Sequence, residues 1–160
     1  MLKNIFQIPN NPDILTSQLY DQNTFYRAFD KDIATCRETL VIESPFITTA
    51  RVSMLLPTLK KLRKRNVRIV VNTRNPEEHD GIYEIQAEHA VSEMQDLGIK
   101  VLYTTKHHRK IAIIDGSIVW EGSLNILSYN DSCEIMRRTR SPIIAQQMTS
   151  FIKIAPHLVQ

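Results

Sequence analysis

Residues 108–125 constrain this chain more than any other stretch. Lys110-Ile-Ala-Ile-Ile-Asp115 is apolar and β-branched, as a buried strand should be. Asp115-Gly116 is a strong short-range hairpin signal. Ser117-Ile-Val-Trp-Glu121 reads as the return strand and carries Gly122-Ser123-Leu124-Asn125 back to the level of His108 and Lys110. Residues two apart in a strand share a face, so His108 and Lys110 project side by side with Arg109 on the opposite face. The predicted hairpin gathers an imidazole, an ammonium, a hydroxyl and a carboxamide around one spot.

Those groups suit attack on a phosphodiester. A neutral imidazole can attack phosphorus and form a covalent phospho-enzyme. Lys110 offers a point charge to the non-bridging oxygens, and Ser123 and Asn125 offer hydrogen bonds where charge develops. Gly122, lacking a Cβ, lets the backbone approach a phosphate closely. No cluster of carboxylates or cysteines demands a metal, and no cofactor is implied.

The spacing His-x-Lys-x4-Asp-x6-Gly-Ser-x-Asn is the signature of the phospholipase D superfamily, which this chain resembles strictly over 108–125 and more loosely over about 38–138. The resemblance implies that His108 is the nucleophile and that Lys110 and Asn125 hold the phosphate with Ser123 beside them. It implies an acidic residue shortly after the Asn, best matched by Glu134, that orients the imidazole through its other nitrogen. At the Asp115 position the family more often has a structural anchor than a catalyst.

Transfer through histidine needs a nucleophile on one side and a proton donor for the leaving oxygen on the other. Many family members carry two motifs; this chain has one. His79, His89, His107 and His157 begin no second His-x-Lys, and His107, adjacent to His108, should face the other way. A two-fold homodimer brings a surface patch to its own copy. Two His108 side chains would then face each other across one phosphate, as in the short single-motif members of the family.

The fold expected is α/β, a mixed sheet flanked by helices on both faces, with residues 1–160 as one domain. Residues 1–20 show no clear period and read as a mobile arm or an edge strand. Phe25, Phe29, Ile33 and Cys36 fall at helical spacing and belong to a core. Strands are expected at 39–43, 67–72, 99–103 and 133–138. Helices are expected at 49–66, kinked or restarted at Pro57, at 82–97, stopped by Gly98, and at 142–154, with Pro142 in the first turn.

Two cysteines, Cys36 and Cys133, stand far apart in no metal spacing, which suits a reducing compartment. The N-terminal apolar run is too short for a signal peptide, and no stretch is long enough for a membrane span. A cytoplasmic protein without membrane association is expected.

The net charge of +3 is modest, but its distribution favours a polyanion. Lys60, Lys61, Arg63, Lys64, Arg65 and Arg68 crowd together; the alternative is a solvated last helical turn. Arg74, in a polar loop beyond a strand end, and Arg137, Arg138 and Arg140, downstream of the motif, are candidate substrate contacts. The expected activity is a metal-independent endonuclease acting on DNA, with RNA as a second substrate. The alternatives are a phospholipid phosphodiesterase or phosphatidyl transferase, and a non-catalytic nucleic-acid-binding or dimerisation module. Short members of this kind also occur fused to helicases or restriction systems, which allows a partner of that type; nothing in the residues shows one.

Overall fold

Two periodicities partition the chain. Period-two apolar runs give strands and 3.6-residue runs give helices. The structure, a computed structural model, describes residues 16–129 and 131–159. In chain order it contains β1 (Ser17–Asp21), α1 (Phe25–Ala34), β2 (Thr39–Glu43), α2 (Thr49–Lys64), β3 (Arg68–Thr73), α3 (Ile82–Asp96), β4 (Lys100–Tyr103), β5 (Ile111–Ile114), β6 (Ile118–Gly122), β7 (Ile135–Arg140) and α4 (Pro142–Phe151), with short 3-10 turns at Pro76–Glu78 and Ala155–His157. The part of the expected N-terminal arm before residue 16 lies outside the described residues; Ser17–Asp21 is an edge strand.

The strands form one sheet in the order β1-β7-β6-β5-β2-β3-β4. β2, β3 and β4 run parallel, joined by the crossover helices α2 and α3. β5 joins β2 antiparallel, and β6, β7 and β1 continue antiparallel. This is the mixed α/β sheet expected from the sequence. β5, at the junction, is buried along its whole length, which is why Ile111–Ile114 carries no polar residue.

Helices cover both faces. Beneath α1, α2 and α3, the stripe of Phe25, Phe29, Ile33 and Cys36 is fully buried and packs with Trp120, Leu40 and Leu55. Complete burial of such an apolar side chain contributes about 1.5–3 kcal/mol. On the other face, α4 and the segment after it cover Val41, Val70, Ile113 and Val119 through Ala145, Ile152 and Ile154. Ser141 caps α4 by accepting from the Ile144 amide, with Pro142 in the first turn. α2 runs unbroken through Pro57 instead of restarting there.

Asp115 and Gly116 both take positive φ, 50° and 55°, as a two-residue primed turn requires. The Asp115 carboxylate accepts from the amides of Arg37, Glu38 and Thr39 at 2.8–3.2 Å and from the Cys36 thiol. Burial pushes its pKa up, but the Glu38, Thr39 and Arg37 amides outweigh that and hold it below the ordinary aspartate value. The hairpin tip is thereby pinned to the start of β2, so Asp115 anchors the frame at the end of the hairpin remote from His108.

The basic run on α2 is partly structural. Arg63 donates to the carbonyls of Leu97 and Val67, and Arg65 to those of Ala34 and Cys36. These cations close the C-terminal end of α2, which precedes β3 and so lies at the opposite end of the parallel strands from the loops described next.

Candidate active site

Ile111 pairs with Glu121 across the hairpin, so Lys110 lies level with Gly122, whose amide donates to the Lys110 carbonyl. His108 and Lys110 precede β5 instead of lying within it, yet their side chains stay together. Lys110 Nζ is 2.9 Å from His108 Nδ1 and also donates to the His108 carbonyl. Arg109 turns the other way and forms a two-pronged ion pair with Glu43, at 2.5 and 2.9 Å. Glu43 is fully buried and also accepts from Asn72, whose carboxamide oxygen in turn accepts from Thr104. A buried network beneath the segment thus fixes Arg109, and with it the direction of its two neighbours.

His108 is exposed, whereas His107 is only 3% exposed and its Nε2 has no hydrogen-bond partner among the described residues. Burial lowers the His107 pKa; Glu43 opposes this, and Arg109, Lys110 and Arg74 add to it. Lys110 is also pushed down, first by burial; the Glu134 charge pulls it back and the Arg74 charge adds to the drop.

A cleft of about 460 Å³ opens over this pair, walled by His108, Lys110, Gly122, Glu121, Ile135 and Arg137. Its floor is one register row across the sheet: Leu19, Arg137, Glu121 and Ile111 stand in succession on β1, β7, β6 and β5. Gly122 is required here by packing. A Cβ would lie 2.1 Å from the Ile135 carbonyl oxygen, so close approach of β7 demands the glycine, whatever approaches from the cleft.

The structure places the other sequence-derived candidates as follows. Ser123 Oγ accepts from the Ile135 amide and so ties the motif to β7. Glu134 accepts from Ser132 Oγ at 2.8 Å, and its charge reaches Lys110; Nδ1 of His108 lies against Lys110 Nζ. Asn125 is 7% exposed and lies on the wall of a neighbouring cleft with Phe46, Tyr83 and Tyr129. Arg74 donates to the His107 carbonyl, next to His108 in the chain, and lies over the ring of Phe46, which lines the neighbouring cleft.

The three C-terminal arginines separate. Arg137 is exposed on the cleft wall and donates to Ser17. Arg138, on the opposite face of β7, is clamped by Asp32 at 2.6 and 3.1 Å, and Trp120 donates to the same carboxylate. Its expected substrate role gives way to a structural one. Arg140 pairs with Ile118 while Met136 pairs with Gly122, so Arg140 sits four residues, roughly 13 Å, from the position level with Gly122. The fold does not bring it to the cleft.

Sequence reasoning missed the clamp on the 125–128 loop. Tyr26 donates to the carbonyls of Asn125 and Ser128. Arg51, fully buried, donates to the Ile126 carbonyl and is paired with Asp30. The Leu127 amide donates to Ser44 Oγ, and the Leu127 carbonyl accepts from Thr48 N. A lone basic residue in the apolar first turns of α2 was the available signal for Arg51. Among the described residues, no group of three His, Cys, Asp or Glu side chains could hold a metal ion, and no helix is long and apolar enough to cross a membrane.

Residues 29–154 match the family model described as the PLD-like domain of cardiolipin synthase. The chain belongs to the phospholipase D superfamily. Solved structures of similar fold include the phospholipase D family member Nuc from Salmonella typhimurium, with a TM-score of 0.70 and 16% identity over 84% of this chain and 90% of that one. NucT from Helicobacter pylori has a TM-score of 0.68 and 17% identity over 86% and 92%. TrmBL2, an archaeal chromatin protein, has a TM-score of 0.63 and 7% identity over 92% and 55%. No curated protein matches the chain in sequence. For this phospholipase D-like chain, the matched span takes in the whole 108–125 motif.

Proposed function

We propose that the protein is a metal-independent phosphodiesterase, an endonuclease acting on DNA, with RNA a second substrate, and that its active site is completed by a second copy of the chain. The observation that carries this reading is the His108–Lys110 pair, 2.9 Å apart in an open cleft with Arg137 on its wall. An imidazole beside an ammonium, with a further cation within the same cleft, suits a phosphate group.

In the proposed reaction, Nε2 of His108 attacks phosphorus. The P–N bond forms as the bond to the leaving oxygen breaks, and that oxygen takes a proton from the second imidazole. Water then attacks the phosphohistidine and gives its proton to the same second imidazole, restoring both side chains. An ammonium donating to Nδ1 favours the tautomer with hydrogen on Nε2. Attack through Nε2 therefore requires Lys110 to move from Nδ1 onto a phosphate oxygen. Glu134 is then the candidate to receive the Nδ1 hydrogen, and Ser123 and Asn125 the candidates to steady the phosphate.

Support for a second copy comes from the cleft itself. His107 is buried and does not line the cleft, so it offers no proton donor there. Leu19 and Ile135, beside His108, leave 56% and 52% of their surfaces exposed, an apolar patch of the kind interfaces cover.

The match to the cardiolipin synthase PLD-like domain favours one second reading, a phospholipid phosphodiesterase or phosphatidyl transferase. Incubation in EDTA with single- and double-stranded DNA, RNA and phosphatidylcholine vesicles separates the two. Cutting of nucleic acid that disappears in His108→Ala and Lys110→Ala is expected. Turnover of the vesicles alone would reverse the assignment.

A further inference from the structure

The cleft beside Asn125 has a construction that the phosphate chemistry does not use. It encloses about 620 Å³ between the β2–α2 loop, the start of α3 and the loop after β6. Phe46, Tyr83 and Tyr129 stand on its walls with Gln86 and Asn125. Two of the rings are backed by cations. Arg51 lies 5.4 Å from the centre of the Tyr129 ring, and Tyr26 meets that ring edge-on at 4.8 Å. Arg74 lies 5.4 Å from the centre of Phe46, with His79 at 5.1 Å. Arg51 is itself immobilised by Asp30 and the Ile126 carbonyl. Tyr129 nevertheless leaves 46% of its surface exposed, and Tyr83 57%. A ring held rigidly from one side and open on the other is a stacking platform.

The cleft also holds an unmet acceptor. Asn125 is more than nine-tenths buried, and its Oδ1 has no partner among the described residues. A buried carboxamide oxygen without a donor is unfavourable, and a ligand N–H would relieve it. The same residue belongs to the motif, and Arg74 links the two sites: it lies over Phe46 on the wall of this cleft and donates to the carbonyl of His107, the neighbour of His108, at 2.8 Å. The cleft therefore adjoins the site where the phosphate is placed.

We propose that this cleft binds an unpaired nucleobase flanking the scissile phosphate, stacked on Tyr129 and Tyr83 and donating to Asn125, so that substrate is taken as a single strand. The inference rests on the nuclease reading and deepens it. A base in a duplex hides both faces and its pairing edge, so only an unpaired base can fill the cleft. An acyl chain has no donor for Asn125 and gains nothing from open ring faces.

The test compares an oligothymidylate with an abasic strand of equal length and backbone charge, in EDTA, measuring KM and kcat. Wild-type protein should show a KM roughly tenfold or more lower on the strand that carries bases, and should cut that strand faster than a duplex. Tyr83→Ala and Tyr129→Leu should raise KM on oligothymidylate and leave it unchanged on the abasic strand. Equal KM values on the two strands for the wild type would overturn the inference without any variant, as would preference for the duplex. Variants that shift both strands alike would also overturn it. If neither strand is cut while vesicles are hydrolysed, the nuclease reading itself fails.

Discussion

Glu43 and Arg109 form a two-pronged ion pair directly behind the His108–Lys110 pair, with the carboxylate fully buried and the guanidinium side chain 38% exposed. Arg109 sits between the two residues assigned to chemistry, so its fixed direction sets theirs. Glu43→Gln removes the charge and one prong while keeping the shape. Breaking a buried pair costs several kcal/mol; the partial exposure of Arg109 reduces this to about 1–3 kcal/mol in urea unfolding. The larger effect expected is on kcat, with KM little changed, because the variant loosens reacting groups without removing a substrate contact. An unchanged kcat would show that the pair does not position the site.

Arg137 and Arg138 are neighbours with opposite expected phenotypes. Arg137→Ala, on the cleft wall, should raise KM for nucleic acid and flatten its salt dependence, with stability within about 0.5 kcal/mol of wild type. Arg138→Ala leaves the partly buried Asp32 without its cation and should cost about 1–3 kcal/mol, with KM unchanged in the folded protein. Steady-state kinetics at two salt concentrations, alongside urea melts, check both.

This contrast shows what the sequence could carry. The 115–116 turn, the aromatic stripe of α1 and the succession of strands and helices from residue 39 onward follow from local chemistry and period, and all were legible. Strand alternation puts Arg137 and Arg138 on opposite faces of β7, yet the sequence reading grouped both as substrate contacts. What alternation could not supply was Asp32 as the partner, more than 100 residues away on α1. Glu43 is a carboxylate ending an apolar strand, and its pairing with Arg109 depends on β5 lying beside β2, a non-local fact. The position of Asn125 is set by Tyr26, Arg51, Ser44 and Thr48, none of which any spacing relates to it. The reason for Gly122 lies in the β7 backbone, equally invisible from its own surroundings.

Asp115 supplies a pH-dependent contribution. Its folded pKa lies below the ordinary aspartate value, so its contribution is complete above about pH 3.9 and is lost as pH falls through the depressed value. Asp115→Asn should cost about 1.5–3 kcal/mol near neutral pH. The gap between wild type and variant should narrow in melts taken at progressively lower pH. A gap that stays constant into strong acid would contradict the anchor role.

Two facing imidazoles, one attacking and one donating a proton, require opposite protonation states and titrate as a pair. Activity should therefore be bell-shaped in pH. On the alkaline side, Lys110 loses its charge below the ordinary lysine value of about 10.4, because burial pushes it down. A rate that climbs steadily from about pH 5 to about pH 9 would be incompatible with paired imidazoles.

The most direct measurement is of the covalent intermediate. Protein mixed with a single-stranded oligonucleotide in EDTA and quenched in alkali, where phosphohistidine survives, should show in its intact mass an adduct of one cleaved strand. Peptide mapping should place it on His108, and His108→Ala should show none. Cutting that proceeds with no adduct, stops in EDTA and returns with magnesium would contradict the account.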